Sequence, residues 1–128
     1  MTELQPISTP DAPKPSGSYS QAMVAGDFVF TCGFGPHDPA TGELPEGIAA
    51  QTTQALRNVE AALKAADSGL DRVVKATVHL STLKDFPAFD EAYRAVLPGP
   101  FPVRTTVRLT GQLQRSEPHP SWGPFHRR

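Results

Sequence analysis

Between residues 47 and 66 the apolar side chains recur with a helical period, and on both sides of that stretch they recur with a period of two. Ile48, Thr52, Ala55, Leu56, Val59, Ala62, Leu63 and Ala66 fall at i, i+4, i+7, i+8, i+11, i+14, i+15 and i+18. That spacing predicts one amphipathic helix, closing near Gly69. Upstream, "SYSQAMVAGDFVFTCG" holds two apolar runs, 20–24 and 28–32, around Ala25-Gly26-Asp27. Gly26 supplies the turn freedom for a β-hairpin. Downstream, Val74, Ala76, Val78 and Leu80 alternate with Lys75, Thr77, His79 and Ser81, the pattern of a strand. A second helix follows: Asp85 is placed to cap it, Pro87 is tolerated in its first turn, and Phe86, Phe89, Tyr93 and Val96 form one stripe. "LPGPFP" breaks it. Over 101–109 the chain returns to alternation, Val103, Thr105, Val107 and Leu109 against Arg104, Thr106 and Arg108, which predicts a strand with its apolar set turned inward.

The order is β-β-α-β-α-β, an α+β sheet with two helices on one face. Strand 28–33, Phe-Val-Phe-Thr-Cys-Gly, is largely apolar on both faces. Two helices cover only one face. The terminal segments are too polar and proline-rich to cover the other, so the expected cover is a second copy of the chain, in an obligate oligomer. At 128 residues and 38% hydrophobic content, one domain is expected over 1–113. Residues 1–16 read as an extended lead-in and 114–128 as a divergent, poorly ordered tail.

Composition excludes several classes of function. A net charge of −1 leaves no broad basic footprint for nucleic acid or an anionic membrane. The N-terminus lacks a basic region followed by an apolar run, and no apolar stretch approaches the ~20 residues of a spanning helix, so a cytoplasmic protein is expected. One cysteine, Cys32, precludes an internal disulfide and reads as a small buried hydrophobe. His37, His79, His119 and His126 lack metal-ligand spacing. There is no nucleophile elbow, P-loop or dinucleotide fingerprint. Phe86, Phe89 and Tyr93 read as ordinary core. The residue with a chemical use is Arg104, whose planar, permanently charged fork suits a carboxylate; an exposed or salt-bridged strand arginine is the plainer reading.

The segments "GSYSQAMVAGDFVFTCG" (17–33), "DPATGELPEGIAAQTTQALRNVEAALKAA" (38–66), "VVKATVHLSTLKDFPAFDEAY" (73–93) and "FPVRTTV" (101–107) together resemble the reactive intermediate deaminase (Rid) family. The resemblance runs from about residue 12 to about 109. It implies a chorismate-mutase-like α+β fold in a homotrimer, with the sheets packed into a central barrel and clefts between subunits. It implies hydrolysis of reactive enamines and imines of the 2-aminoacrylate type to 2-oxo acids and ammonia, without metal or organic cofactor. By the same resemblance Arg104 binds the substrate carboxylate, Tyr19 lines the cleft, the backbone at Gly33 contacts ligand, and the backbone amide of Thr106 helps hold the carboxylate. A held carboxylate and one oriented water are then most of what the chemistry needs.

Three departures stand against the resemblance. Phe34 replaces the usual glutamine, and Asp90 the usual asparagine, which would set a carboxylate against an acidic substrate. The closing strand, with its water-orienting glutamate, is replaced by "GQLQRSEPHPSWGPFHRR", in which Pro118, Pro120 and Pro124 are incompatible with a central strand and Glu117 is the only acid. A carboxylate-binding or chaperone-like scaffold on the same fold is therefore the alternative to an enzyme.

Overall fold

The computed structural model describes residues 3–109 and 125–127. Six strands form one sheet in the order β1-β2-β3-β6-β4-β5: β1 Leu4–Ile7, β2 Ala22–Ala25, β3 Phe28–Phe34, β4 Lys75–Leu80, β5 Val103–Arg108 and β6 Phe125–Arg127. Helices α1, Ile48–Ala65, and α2, Phe86–Val96, complete the α+β fold expected from the alternation of periods. β2 and β3 form the hairpin, with Gly26 at φ 60° in its turn. β4 and β5 pair in parallel through α2; every other pairing in the sheet is antiparallel.

α1 buries Thr52, Ala55, Leu56, Val59, Ala62 and Leu63 against the sheet. Its end differs from expectation. Asp67, at φ 58°, takes the left-handed position just beyond the helix, whereas Gly69 is extended at φ −169°. An aspartate tolerates that region better than most side chains. At α2 the expected cap is also corrected. Asp85 makes no side-chain cap bond; the Thr82 hydroxyl accepts from the Lys84 N–H (3.2 Å) in the short 3-10 turn that precedes the helix.

The faces of β5 are reversed relative to the sequence expectation. Val103 and Val107 are exposed, Val103 at 68%, while Arg104 and Thr106 are half-buried on the helix side. The cause is the neighbour strand. Ala76 and Val78, fully buried beneath the helices, stand in register with Arg104 and Thr106. Parallel register puts paired residues on one face, so tertiary placement overrides the apolar alternation. The outer face of the sheet accordingly shows Leu4, Phe28, Phe30, Val103 and Val107 uncovered in the single chain.

The lead-in is partly a strand. β1 pairs with β2 from Leu4↔Ala25 to Ile7↔Ala22. The irregular stretch after β1 is tied down by Gln21, only 2% exposed. Its Oε1 accepts from the Thr9 N–H (2.7 Å), and its Nε2 lies within donating distance of the carbonyls of Thr9 (3.1 Å), Ala12 (3.2 Å) and Pro13 (2.9 Å). A buried amide that offers one acceptor and two hydrogens among four backbone groups stands in for the pairing an irregular segment lacks.

The expectation of a sheet without its closing strand is corrected at residues 125–127. β6 lies between β3 and β4, with Phe125 opposite Phe34 and Val78 and Arg127 opposite Thr31 and Ala76. The rest of the tail, Glu117, Pro118, Pro120 and Pro124 included, lies outside the described residues.

Candidate functional site

Arg104 is set by three elements at once. β5 carries it, β4 beside it turns it to the helix side, and α2 lays aromatic rings across its path. The guanidinium carbon lies 4.7 Å from the ring centroid of Tyr93 and 5.4 Å from those of Phe86 and Phe89. The stripe read from the sequence as plain core is thus both core and platform: Phe89 and Tyr93 are buried, with ring centroids 5.4 Å apart and planes tilted by 47°. Stacked rings hold a guanidinium by cation–π attraction and limit its rotamers. At 22% exposure the Arg104 side chain still reaches solvent, and its Nη1 donates to Oδ1 of Asp90 at 2.8 Å. Asp90 is 32% exposed, and its Oδ2 lies 3.7 Å from the guanidinium of Arg94. Two cations therefore share one carboxylate, leaving a local charge of +1 beside a cavity of about 330 Å³ lined by Asp90, Tyr93, Arg94, Phe101, Pro102 and Arg104.

Thr106 stands two residues further along the same face. The Val103 N–H donates to the Val74 carbonyl (3.2 Å) and the Leu109 N–H to the Leu80 carbonyl (2.7 Å), both toward β4. Backbone N–H groups alternate sides along a strand, so those of Arg104 and Thr106 point away from β4, to the side where β5 is outermost among the described strands. The Thr106 Oγ1 is buried with no hydrogen-bond partner among the described residues. A guanidinium and an outward-facing backbone amide are each donors suited to a carboxylate.

The other two residues expected at the site lie elsewhere in the chain. Gly33 is on β3, three strand positions from β5, roughly 14 Å at ordinary strand spacing. Tyr19 precedes β2, further still, where its hydroxyl accepts from the Ser16 N–H at 3.1 Å and its ring is 43% exposed. The single chain sets Arg104 and Thr106 two residues apart on one face of β5, with Arg104 but not Thr106 lining the cavity, and holds Tyr19 and Gly33 apart from them. The sequence reading missed Tyr93, Phe86 and Phe89 as supports and Asp90 as the arginine's partner. The helical stripe gave the rings; what it lacked was the arginine's true face.

Cys32, on β3, is pushed from 9.0 to about 11, because burial disfavours the thiolate more than a hydrogen bond from its own backbone favours it. It is a poor nucleophile there. Phe34 is buried in the core, so the position expected to hold glutamine contributes packing. No helix among the described residues is long and apolar enough to cross a membrane.

The sheet order and the two helices define an α+β fold of the kind shared by solved L-PSP and RidA proteins. The model of the Endoribonuclease L-PSP family matches residues 9–115, and the chain belongs to this family, whose members also carry the RutC and Rid names. A RutC family protein of Pyrococcus horikoshii is 44% identical over 105 residues, which cover 81% of this chain and 83% of that protein. The 2-iminobutanoate/2-iminopropanoate deaminase of Bos taurus is 38% identical over 104 residues, covering 80% of this chain and 76% of that one. Among solved structures, RidA from the Antarctic bacterium Psychrobacter sp. PAMC 21119 superposes with a TM-score of 0.87 at 36% identity, covering 96% of both chains.

Proposed function

We propose that this protein hydrolyses reactive enamine and imine intermediates of small 2-amino acids to 2-oxo acids and ammonia, as a cytoplasmic homotrimer. The observation that carries the reading is Arg104, seated on three rings beside an outward-facing amide at Thr106. That pair would hold a substrate carboxylate in a bidentate grip. The enamine first becomes its imine tautomer, whose carbon is electrophilic without further activation. Water then adds to the C=N bond, the C–N bond breaks, and nitrogen leaves as ammonia while oxygen stays as the ketone. Positioning of the carboxylate and of one water supplies the acceleration. The uncovered apolar residues of the sheet's outer face, Phe28, Phe30, Val103 and Val107, support closure against other copies of the chain. Such closure would also bring the Tyr19 and Gly33 of one protomer to the Arg104 and Thr106 of another, which the single chain keeps apart.

The test is release of ammonia and 2-oxo acid from freshly generated 2-aminoacrylate, wild type against Arg104→Ala. Turnover that the substitution abolishes supports the enzyme. Absence of turnover in the wild type, with 2-oxo acid still bound, supports the carboxylate-binding scaffold.

A further inference from the structure

We infer that Asp90 reads the nitrogen of the substrate, so that the site selects a zwitterion, with the carboxylate on Arg104 and a protonated imine or amine on Asp90. The inference rests on the deaminase reading for its substrate and on the geometry of one ion pair for its substance. Asp90 touches Arg104 through one oxygen only, at 2.8 Å; the other lies 3.7 Å from Arg94, too long for a good hydrogen bond. Both carboxylate and guanidinium line the same cavity. A ligand anion that takes the remaining donors of Arg104 must therefore lie next to a second negative charge. A plain 2-oxo or 2-hydroxy acid is held there only by the net charge of +1 that Arg94, Arg104 and Asp90 leave together, and it offers Asp90 no partner of its own. In 2-iminopropanoate the protonated nitrogen sits one carbon from the carboxylate, which is the separation needed to place opposite charges on an adjacent arginine and aspartate. Asp90 is then a specificity-determining residue, and the carboxylate that looks like an obstacle to acids becomes the counter-charge for the atom the reaction removes.

L-alanine and L-lactate form a matched pair of probes, differing only in an ammonium or a hydroxyl at the same carbon. Calorimetric titration of the full chain is expected to give L-alanine about tenfold tighter binding than L-lactate, the effect of one additional partly desolvated ion pair. In Asp90→Asn, which keeps an acceptor for Arg104, the preference is expected to vanish or invert, with L-lactate gaining and the thermal midpoint nearly unchanged. L-lactate bound as tightly as L-alanine by the wild type, no binding of L-alanine, or a preference retained in Asp90→Asn would overturn the inference. The wild-type comparison stands whatever becomes of the variant. The two readings separate cleanly: deamination of 2-aminoacrylate without ammonium preference sinks this inference alone, and ammonium preference without deamination sinks the enzyme alone.

Discussion

Ala76 and Arg104 stand beside each other in parallel register on β4 and β5, under the two helices. A methyl next to a guanidinium leaves the arginine the width to lie across Phe86, Phe89 and Tyr93. Lysine at 104 would keep the charge and lose both the planar fork and the stacking. Arg104→Lys is expected to lower kcat/KM for the imine by about 30- to 150-fold, the loss of about 2–3 kcal/mol of charge-assisted hydrogen bonding. Asp90 is a third exposed, so global stability should change by less than about 1 kcal/mol. Steady-state kinetics and a thermal melt decide it; a lysine variant with wild-type kcat/KM refutes the need for the fork.

Gln21 is the clasp of the N-terminal segment. Replacing it with leucine removes the partner of the Thr9 N–H and of three carbonyls, in a setting where rehydration is incomplete. We expect a loss of about 2 kcal/mol in denaturant unfolding, within the range for unsatisfied buried groups, and selective loss of amide-exchange protection over residues 4–13. Uniform loss across the whole chain, or none, would contradict this assignment.

Phe30→Glu places a charge on the uncovered outer face of the sheet, where the side chain is 40% exposed in the single protomer. If copies of the chain close over that face, the charge must be desolvated there. Sedimentation should then show protomers in place of the assembly at micromolar concentration. A variant that sediments like the wild type means the seam lies elsewhere.

Burial pushes the Cys32 thiol up from its ordinary 9.0 to about 11. Between those two values the folded chain holds the proton that the unfolded chain has released. Stability contributed by the protonated thiol is therefore full below pH 9 and declines as pH rises from about 9 to about 11. At pH 8 about one thiol in a thousand is thiolate, so iodoacetamide should react slowly and about tenfold faster per pH unit up to that range. Rapid alkylation at pH 7 would contradict the burial of this sulfur.

The helices and the hairpin were legible because each is written in a local period. The stripe from Ile48 to Ala66 has one reading, and Gly26 between two apolar runs has one turn. β5 was legible as a strand and misread as to face. Val103 and Val107 look like core residues because they are apolar, and they are uncovered within a single copy. Arg104 looks like a surface residue because it is charged, and it is sheltered by rings some ten to twenty residues away in the chain. The clasp made by Gln21 and the pairing of Asp90 with Arg104 escaped notice for the same reason: a polar side chain's value lies in partners that no periodicity reveals. β6 was invisible because three residues after a proline carry no pattern of their own, and its place is dictated by the slot between β3 and β4.

That slot has a temporal side. β3 and β4 run in the same direction with a one-strand gap between them, and among the described strands β6 alone bridges it. The hairpin half of the sheet and the β4–β5 half are thus made long before the residues that join them. The strand that joins the two halves is therefore the last of the six to be made, and the sheet can become continuous only once residues 125–127 are in place, like an arch that waits for its last stone.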